Sequence, residues 1–146
     1  MTPISRRAAL LAAVCAPLPA LASAPTQVTL HKSPECGCCE DYAAYLRRNG
    51  FAVDVRPTHD LATMSREAGV PEELDGCHIA VVEGYVVEGH VPVEAIRRLL
   101  AERPSLRAIT LPGMPPGSPG MVGHKREPFT IHAVARDGGT SVYMTI

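Results

Sequence analysis

Residues 27–50 read QVTLHKSPECGCCEDYAAYLRRNG: a short β-branched run from Gln27 to His31, three cysteines within four positions, then apolar Tyr42, Ala43, Tyr45 and Leu46 at helical spacing. The pattern predicts a strand, a turn holding Cys36, Cys38 and Cys39, and a helix over Cys39–Asn49 that Gly50 closes. The start of a helix carries unsatisfied N–H groups and the positive end of the dipole, both of which favour thiolate over thiol. A C-x-x-C pair, Cys36 and Cys39, between a strand and a helix is therefore a strong signal for reactive or ligating sulfur. The same spacing elsewhere would be weak.

Working outward, Phe51–Arg56 alternates as a strand, and Asp60 can cap a helix running to about Ala68, before Gly69 and Pro71. IAVVE and YVVE, joined at Gly84, read as a hairpin, and VPVEAIRRLLAER reads as a helix with Pro92 near its first turn. Beyond a Pro/Gly-rich loop, PFTIHAVAR and TSVYMTI flank Asp137-Gly138-Gly139 as a terminal hairpin that extends the sheet. The order is βαβ, α, ββ, α. With 146 residues of which 46% are hydrophobic, the chain can bury one core, and residues 25–146 are expected to form a single domain.

Residues 1–24 read as an export signal. Arg6 and Arg7 precede AALLAAVCAPLPALA, an apolar run too short to span a bilayer, and small residues follow. SRRAALL resembles a twin-arginine signal, with the general secretory route as the alternative, and either leads to the periplasm. No stable membrane span is expected. The net charge is -1, and removing Arg6 and Arg7 leaves 12 basic against 15 acidic side chains, which gives no electrostatic footprint for nucleic acid.

Export removes Cys15 and leaves Cys36, Cys38, Cys39 and Cys77 in a compartment that permits disulfides. Bridges among the first three would close tiny loops and constrain little of the unfolded chain, so stapling alone is a poor account of them. An exchange site needs two thiols, and Cys38 inside the C-x-x-C would offer competing disulfides. Convergent thiolates suit a soft metal, Cu(I) above all and also zinc.

The element order, with cysteines leading into the first helix, resembles the thioredoxin fold. Where such folds place a cis proline before the third strand, this chain has GCHIAVV, so Cys77 and His78 would face the motif. SPECGCC, GCHIAVVEGYVVEGHVP and LPGMPPGSPGM together resemble the exported copper-resistance proteins of the CopG type, over about Gln27 to the C-terminus. The resemblance implies a thioredoxin-like copper-binding domain, with several Cu(I) ions bridged by the thiolates of Cys36, Cys38, Cys39 and Cys77. It also implies a role in copper resistance or copper redox handling, with copper ions and other periplasmic copper-handling proteins as partners. Whether the chain turns over as a copper oxidoreductase is left open, and no catalytic residue is assigned.

Four other soft or borderline donors stand beside these: His78, His90, Met114 and Met121, each either a ligand or a residue packed around the site. His31 and His59 read as structural and solvated, and His124 and His132 have no partner nearby in sequence. Glu35, Glu40 and Asp41 read as helix-start carboxylates, and no Ser-His-Asp arrangement, phosphate loop or metalloprotease motif occurs. Two other function classes remain: a thiol-disulfide oxidoreductase using Cys36 and Cys39, and a zinc-stabilised structural domain.

Overall fold

The structure is a computed structural model that describes residues 24–146; the export signal assigned to residues 1–24 lies, but for its last residue, outside them. A single seven-stranded mixed sheet has the order β2-β1-β3-β4-β5-β6-β7. Its strands are β1 Thr26–Lys32, β2 Phe51–Pro57, β3 His78–Val82, β4 Tyr85–Gly89, β5 Leu106–Leu111, β6 Thr130–Ala135 and β7 Thr140–Thr145. Three helices connect them: α1 Gly37–Arg48, α2 Leu61–Ala68 and α3 Val93–Glu102. Among the described residues no helix is long and apolar enough to cross a membrane.

Each expected element is present, with two additions, β5 and a single 3-10 turn over Glu72–Leu74. Helix α1 starts at Gly37, two residues before the expected Cys39, because Gly37 and Cys38 belong to its first turn. Periodicity assigns no strand between α3 and the Pro/Gly loop, yet β5 lies there, parallel to β4 and antiparallel to β6. Helix α3 is the crossover that a parallel β4–β5 pair requires. The last four residues of β5 are all buried, so it reads as a short apolar run without the alternation that marks a half-exposed strand.

Side chains two apart share a sheet face, and this sorts the core. Val28, Leu30, Ala80, Val82, Val87, Ile109, Leu111 and Ile131 pack with Tyr42, Ala43 and Leu46 of α1 and with Ala95, Ile96 and Leu99 of α3. Val70, Ala108 and Val134 form a smaller cluster with Ala68, Leu74 and Val86. Fully burying an aliphatic side chain of this kind stabilises by roughly 1.5–3 kcal/mol, so the α1–α3 face carries most of the cohesion. Lys32 and His78 continue the parity of Leu30 and Ala80, and they stand opposite each other in the β1–β3 register. The site is therefore built on the main core face, at the end of the sheet where α1 begins.

Candidate metal centre

Between β1 and α1 the chain turns through Ser33–Cys36, closed by the Cys36 N–H donating to the Ser33 carbonyl at 3.0 Å. This makes Cys36 the residue that precedes the helix and puts Cys38 and Cys39 in its first turn. Cys77 immediately precedes β3, which the β1–β3 register lays against the end of β1. The Cys38 and Cys77 sulfurs are 3.9 Å apart, Cys39 and Cys77 3.7 Å, and Cys36 and Cys38 3.5 Å. One ligand atom from each of the four lies within 4.8 Å of the others. All four sulfurs considered from sequence thus converge, and Cys36 and Cys39 are joined in a disulfide while Cys38 and Cys77 are free. The bond falls within the C-x-x-C pair, and two electrons and two protons would return it to two thiols.

Two histidines approach Cys77 from the other side. His90 Nδ1 lies 2.6 Å from the Pro119 carbonyl and its Nε2 lies 3.1 Å from the Cys77 sulfur. A carbonyl only accepts, so the ring proton sits on Nδ1 and the Nε2 lone pair is directed at Cys77. His78 is fully buried, with Nδ1 3.3 Å from the same sulfur. Its Nε2 has no hydrogen-bond partner; the nearby Gly89 backbone makes no bond of ordinary geometry with it. Cys77, His78 and His90 form a second group within 4.8 Å, so Cys77 belongs to both groups.

Burial pushes the Cys77 thiol up to about 12, with the neighbouring Cys38 adding to the shift. Burial likewise lowers His78 to about 3, assisted by His90, and lowers His90. Both imidazoles are therefore held neutral, the form in which nitrogen ligates a metal. Thiols and neutral imidazoles in this arrangement can hold a soft or borderline cation, or exchange a disulfide.

The backbone brings Cys77 and His90 together at two glycines. A Cβ on Gly76 would stand 2.5 Å from the Gly89 nitrogen and 2.6 Å from its Cα, and Gly89 itself takes φ 74°. Only glycine pairs this closely without displacing main chain. Glu88, 1% exposed, holds the same turn: its Oε1 accepts the Gly76 N–H at 2.9 Å. The Ser65 hydroxyl lies 3.0 Å from each Glu88 oxygen and 2.5 Å from Asp75 Oδ1. The one hydroxyl proton is shared among these carboxylate oxygens, and burial raises the Glu88 carboxyl to about 7.

Helix α1 is tied to the segment after His90 by two tyrosines. Tyr42 Oη donates to the Val91 carbonyl at 2.8 Å, and Tyr45 Oη accepts the Val93 N–H at 3.0 Å. The Tyr42 ring also packs on His78, centroid to centroid 4.4 Å. The Pro/Gly loop then covers the helix start: a Cβ on Gly120 would meet the Tyr42 nitrogen at 2.7 Å and the Cys38 carbonyl at 3.1 Å. Met121, next in the chain, is half-buried, whereas Met114 is 42% exposed. His124 and His132, apart in sequence, both line a cleft of about 430 Å³ that contains none of the cysteines.

Glu88, Ser65, Asp75 and Pro119 carried no signal in the sequence. For Gly76 and Gly89 there was one, since a glycine at the edge of a strand pattern points to close backbone approach. Of the helix-start carboxylates, Glu35 accepts from the Ser33 hydroxyl at 2.8 Å and Glu40 pairs with Lys32 at 3.3 Å.

Two solved structures described as copper resistance protein CopG, form 1 and form 2, match the chain at 36% identity with TM-scores of 0.76 and 0.77. Each alignment covers 84% of this chain and 98% of the other. The chain belongs to the CopG family. A family model described as a protein of unknown function, DUF411, matches residues 74–121. That segment carries Cys77, His78, His90, Met114 and Met121 and excludes the C-x-C-C motif. No curated protein matches the chain. Membership in CopG agrees with the resemblance carried by the cysteine motifs and with the mixed α/β architecture, one sheet with three helices.

Proposed function

We propose that the mature chain, once the Cys36–Cys39 disulfide is reduced, holds copper as Cu(I) on Cys36, Cys38, Cys39 and Cys77. Several ions are bridged by these thiolates, and the protein serves copper resistance or copper redox handling in the periplasm. The observation that carries this reading is the convergence of four cysteine sulfurs within 4.8 Å in a member of the CopG family. Thiolate is the softest donor a protein offers, and Cu(I) is the first-row ion that gains most from it. His90 and His78 offer nitrogen on the far side of Cys77, a donor that Cu(II) accepts more readily than Cu(I) does, so the adjoining groups suit copper in both oxidation states. Met121 lies where the Pro/Gly loop meets the helix start and serves as packing or as a soft donor, with Met114 further out.

The strand order β2-β1-β3-β4, with β1 and β2 parallel and β3 and β4 antiparallel, supports reading residues 25–146 as a thioredoxin-like domain. Reduced protein offered both ions without oxygen is expected to bind more than one Cu(I) and retain it against a moderate Cu(I) chelator. Stoichiometric zinc with negligible copper would defeat the copper reading. Export through the twin-arginine route is expected from Arg6 and Arg7: replacing both by lysine should leave precursor in the cytoplasm, whereas an undiminished periplasmic yield would assign the general secretory route. Partners are copper ions and other periplasmic copper-handling proteins.

A second reading, thiol-disulfide exchange by Cys36 and Cys39, is favoured by the disulfide between them. It predicts insulin reduction that survives the loss of Cys38 or Cys77, and absence of that activity would remove it.

A further inference from the structure

Lys32, the last residue of β1, turns its side chain into the core face and is 4% exposed. Its Nζ donates to the carbonyls of Ser33 at 3.1 Å, Pro34 at 3.3 Å and Cys36 at 3.2 Å. The ammonium thus grips the whole turn that presents Cys36. Among the described residues its one carboxylate partner is Glu40, at 3.3 Å, which is 57% exposed.

A buried charge costs several kcal/mol unless an anion balances it within the same low-dielectric region. Glu40 sits mostly in water, which screens it, and the three carbonyls are neutral. With Cys36 and Cys39 oxidised, the positive charge beneath the turn is therefore poorly matched. Reduction and metal binding place thiolate charge on the turn whose Cys36 carbonyl the ammonium holds at 3.2 Å. The geometry points to Lys32 as the counter-charge and positioning residue of this thiolate site. It ties the Ser33–Cys36 turn and stabilises the anionic sulfur states, so that the dithiol and its copper form are favoured over the disulfide. The copper half rests on the reading proposed above; the dithiol half does not.

The dithiol half is tested on metal-free mature protein equilibrated with dithiothreitol. The Cys36–Cys39 S–S bond breaks as the reagent supplies two electrons and closes to its own cyclic disulfide; of the reagent's two protons one goes to one cysteine sulfur and the other to the buffer, leaving the second sulfur a thiolate, the state that a cation at Lys32 stabilises. Lys32→Met removes charge and donors, Lys32→Gln keeps a donor without charge, and Lys32→Arg keeps charge. Relative to the parent protein, the Met and Gln variants are expected to shift this equilibrium toward the disulfide about tenfold, as the loss of one neighbouring charge can. For a two-electron couple that is about 30 mV. Lys32→Arg should stay within about threefold of the parent. Cu(I) competition titration should show the same order of loss.

If Lys32→Gln matches the parent in both measurements, the ammonium acts only through its hydrogen bonds and the counter-charge role is overturned. A shifted dithiol equilibrium in a protein whose parent form binds no copper would support the counter-charge and sink the copper reading instead. Circular dichroism on each variant separates these results from unfolding, and the Gln and Arg variants carry the comparison if Lys32→Met does not fold.

Discussion

Cys77→Ser is expected to lose copper while remaining folded. Cys77 is the one sulfur supplied from outside the helix start, it lies within 3.9 Å of Cys38 and 3.7 Å of Cys39, and it is shared with the His78–His90 group. Removing it leaves three donors crowded on one turn and separates them from both imidazoles, so copper stoichiometry should fall and the remaining ions should be open to chelators and oxidation. The fold should tolerate the change, because Ser differs from Cys by one atom and Cys77 is only half-buried. Cys38→Ser should behave in the same way, since Cys38 is the thiol that C-x-x-C exchange does not need. The measurement is Cu(I) competition titration beside circular dichroism. Full copper binding in both variants, with insulin reduction that disappears only on Cys36→Ser and Cys39→Ser, would decide for the exchange reading.

Gly76→Ala should damage both the fold and the site through one methyl group. Its Cβ would meet the Gly89 nitrogen at 2.5 Å and Cα at 2.6 Å, and these are main-chain atoms that cannot rotate away. Relief requires β4 and the Gly76–Cys77 turn to move apart, which stretches the Glu88 bond to the Gly76 N–H and the Cys77–His90 contact together. Overpacking of this kind costs about 1–3 kcal/mol. The urea midpoint should drop accordingly and copper binding should weaken in the folded fraction. Gly37→Ala serves as a stability control, since an added Cβ there meets nothing within 4 Å. Equal midpoints for the two variants would show that the Gly76–Gly89 approach does not hold the site.

Most of the architecture was legible because local rules and tertiary packing agree. Gly50 ends α1 in the left-handed region with φ 89°, Glu83 and Gly84 turn the β3–β4 hairpin, and the β6–β7 hairpin turns at Asp137–Gly139. Strand β5 was not legible: Leu106–Leu111 lies between β4 and β6 with its last four residues buried, and its partners are 20 or more positions away in the chain. A central strand loses the alternation that exposes a strand in sequence. The site divided in the same way. Cys36, Cys38 and Cys39 could be placed together from spacing alone, because a turn into a helix is a local structure. Their bonding state could not, since Cys36–Cys39 and a free set of four thiols are both compatible with that spacing.

The residues themselves determined the strand-to-helix placement of the cysteine motif, the hairpins, and the family resemblance that the CopG structures bear out. Each of these depends on neighbours within a few positions or on composition. Only the tertiary structure decided that Cys77 completes the sulfur group and that His90 turns its Nε2 toward it. It also placed two buried groups, the Glu88 carboxyl and the Lys32 ammonium, behind the two cysteine-bearing turns. These relations join β1, β3, β4 and the Pro/Gly loop: 39 positions separate Cys38 from Cys77 and 13 separate Cys77 from His90, while the supporting Pro119–His90 and Val91–Tyr42 bonds span 29 and 49. Sheet register and the close approach of Gly76 to Gly89 set them, and both are properties of packing that no local propensity encodes.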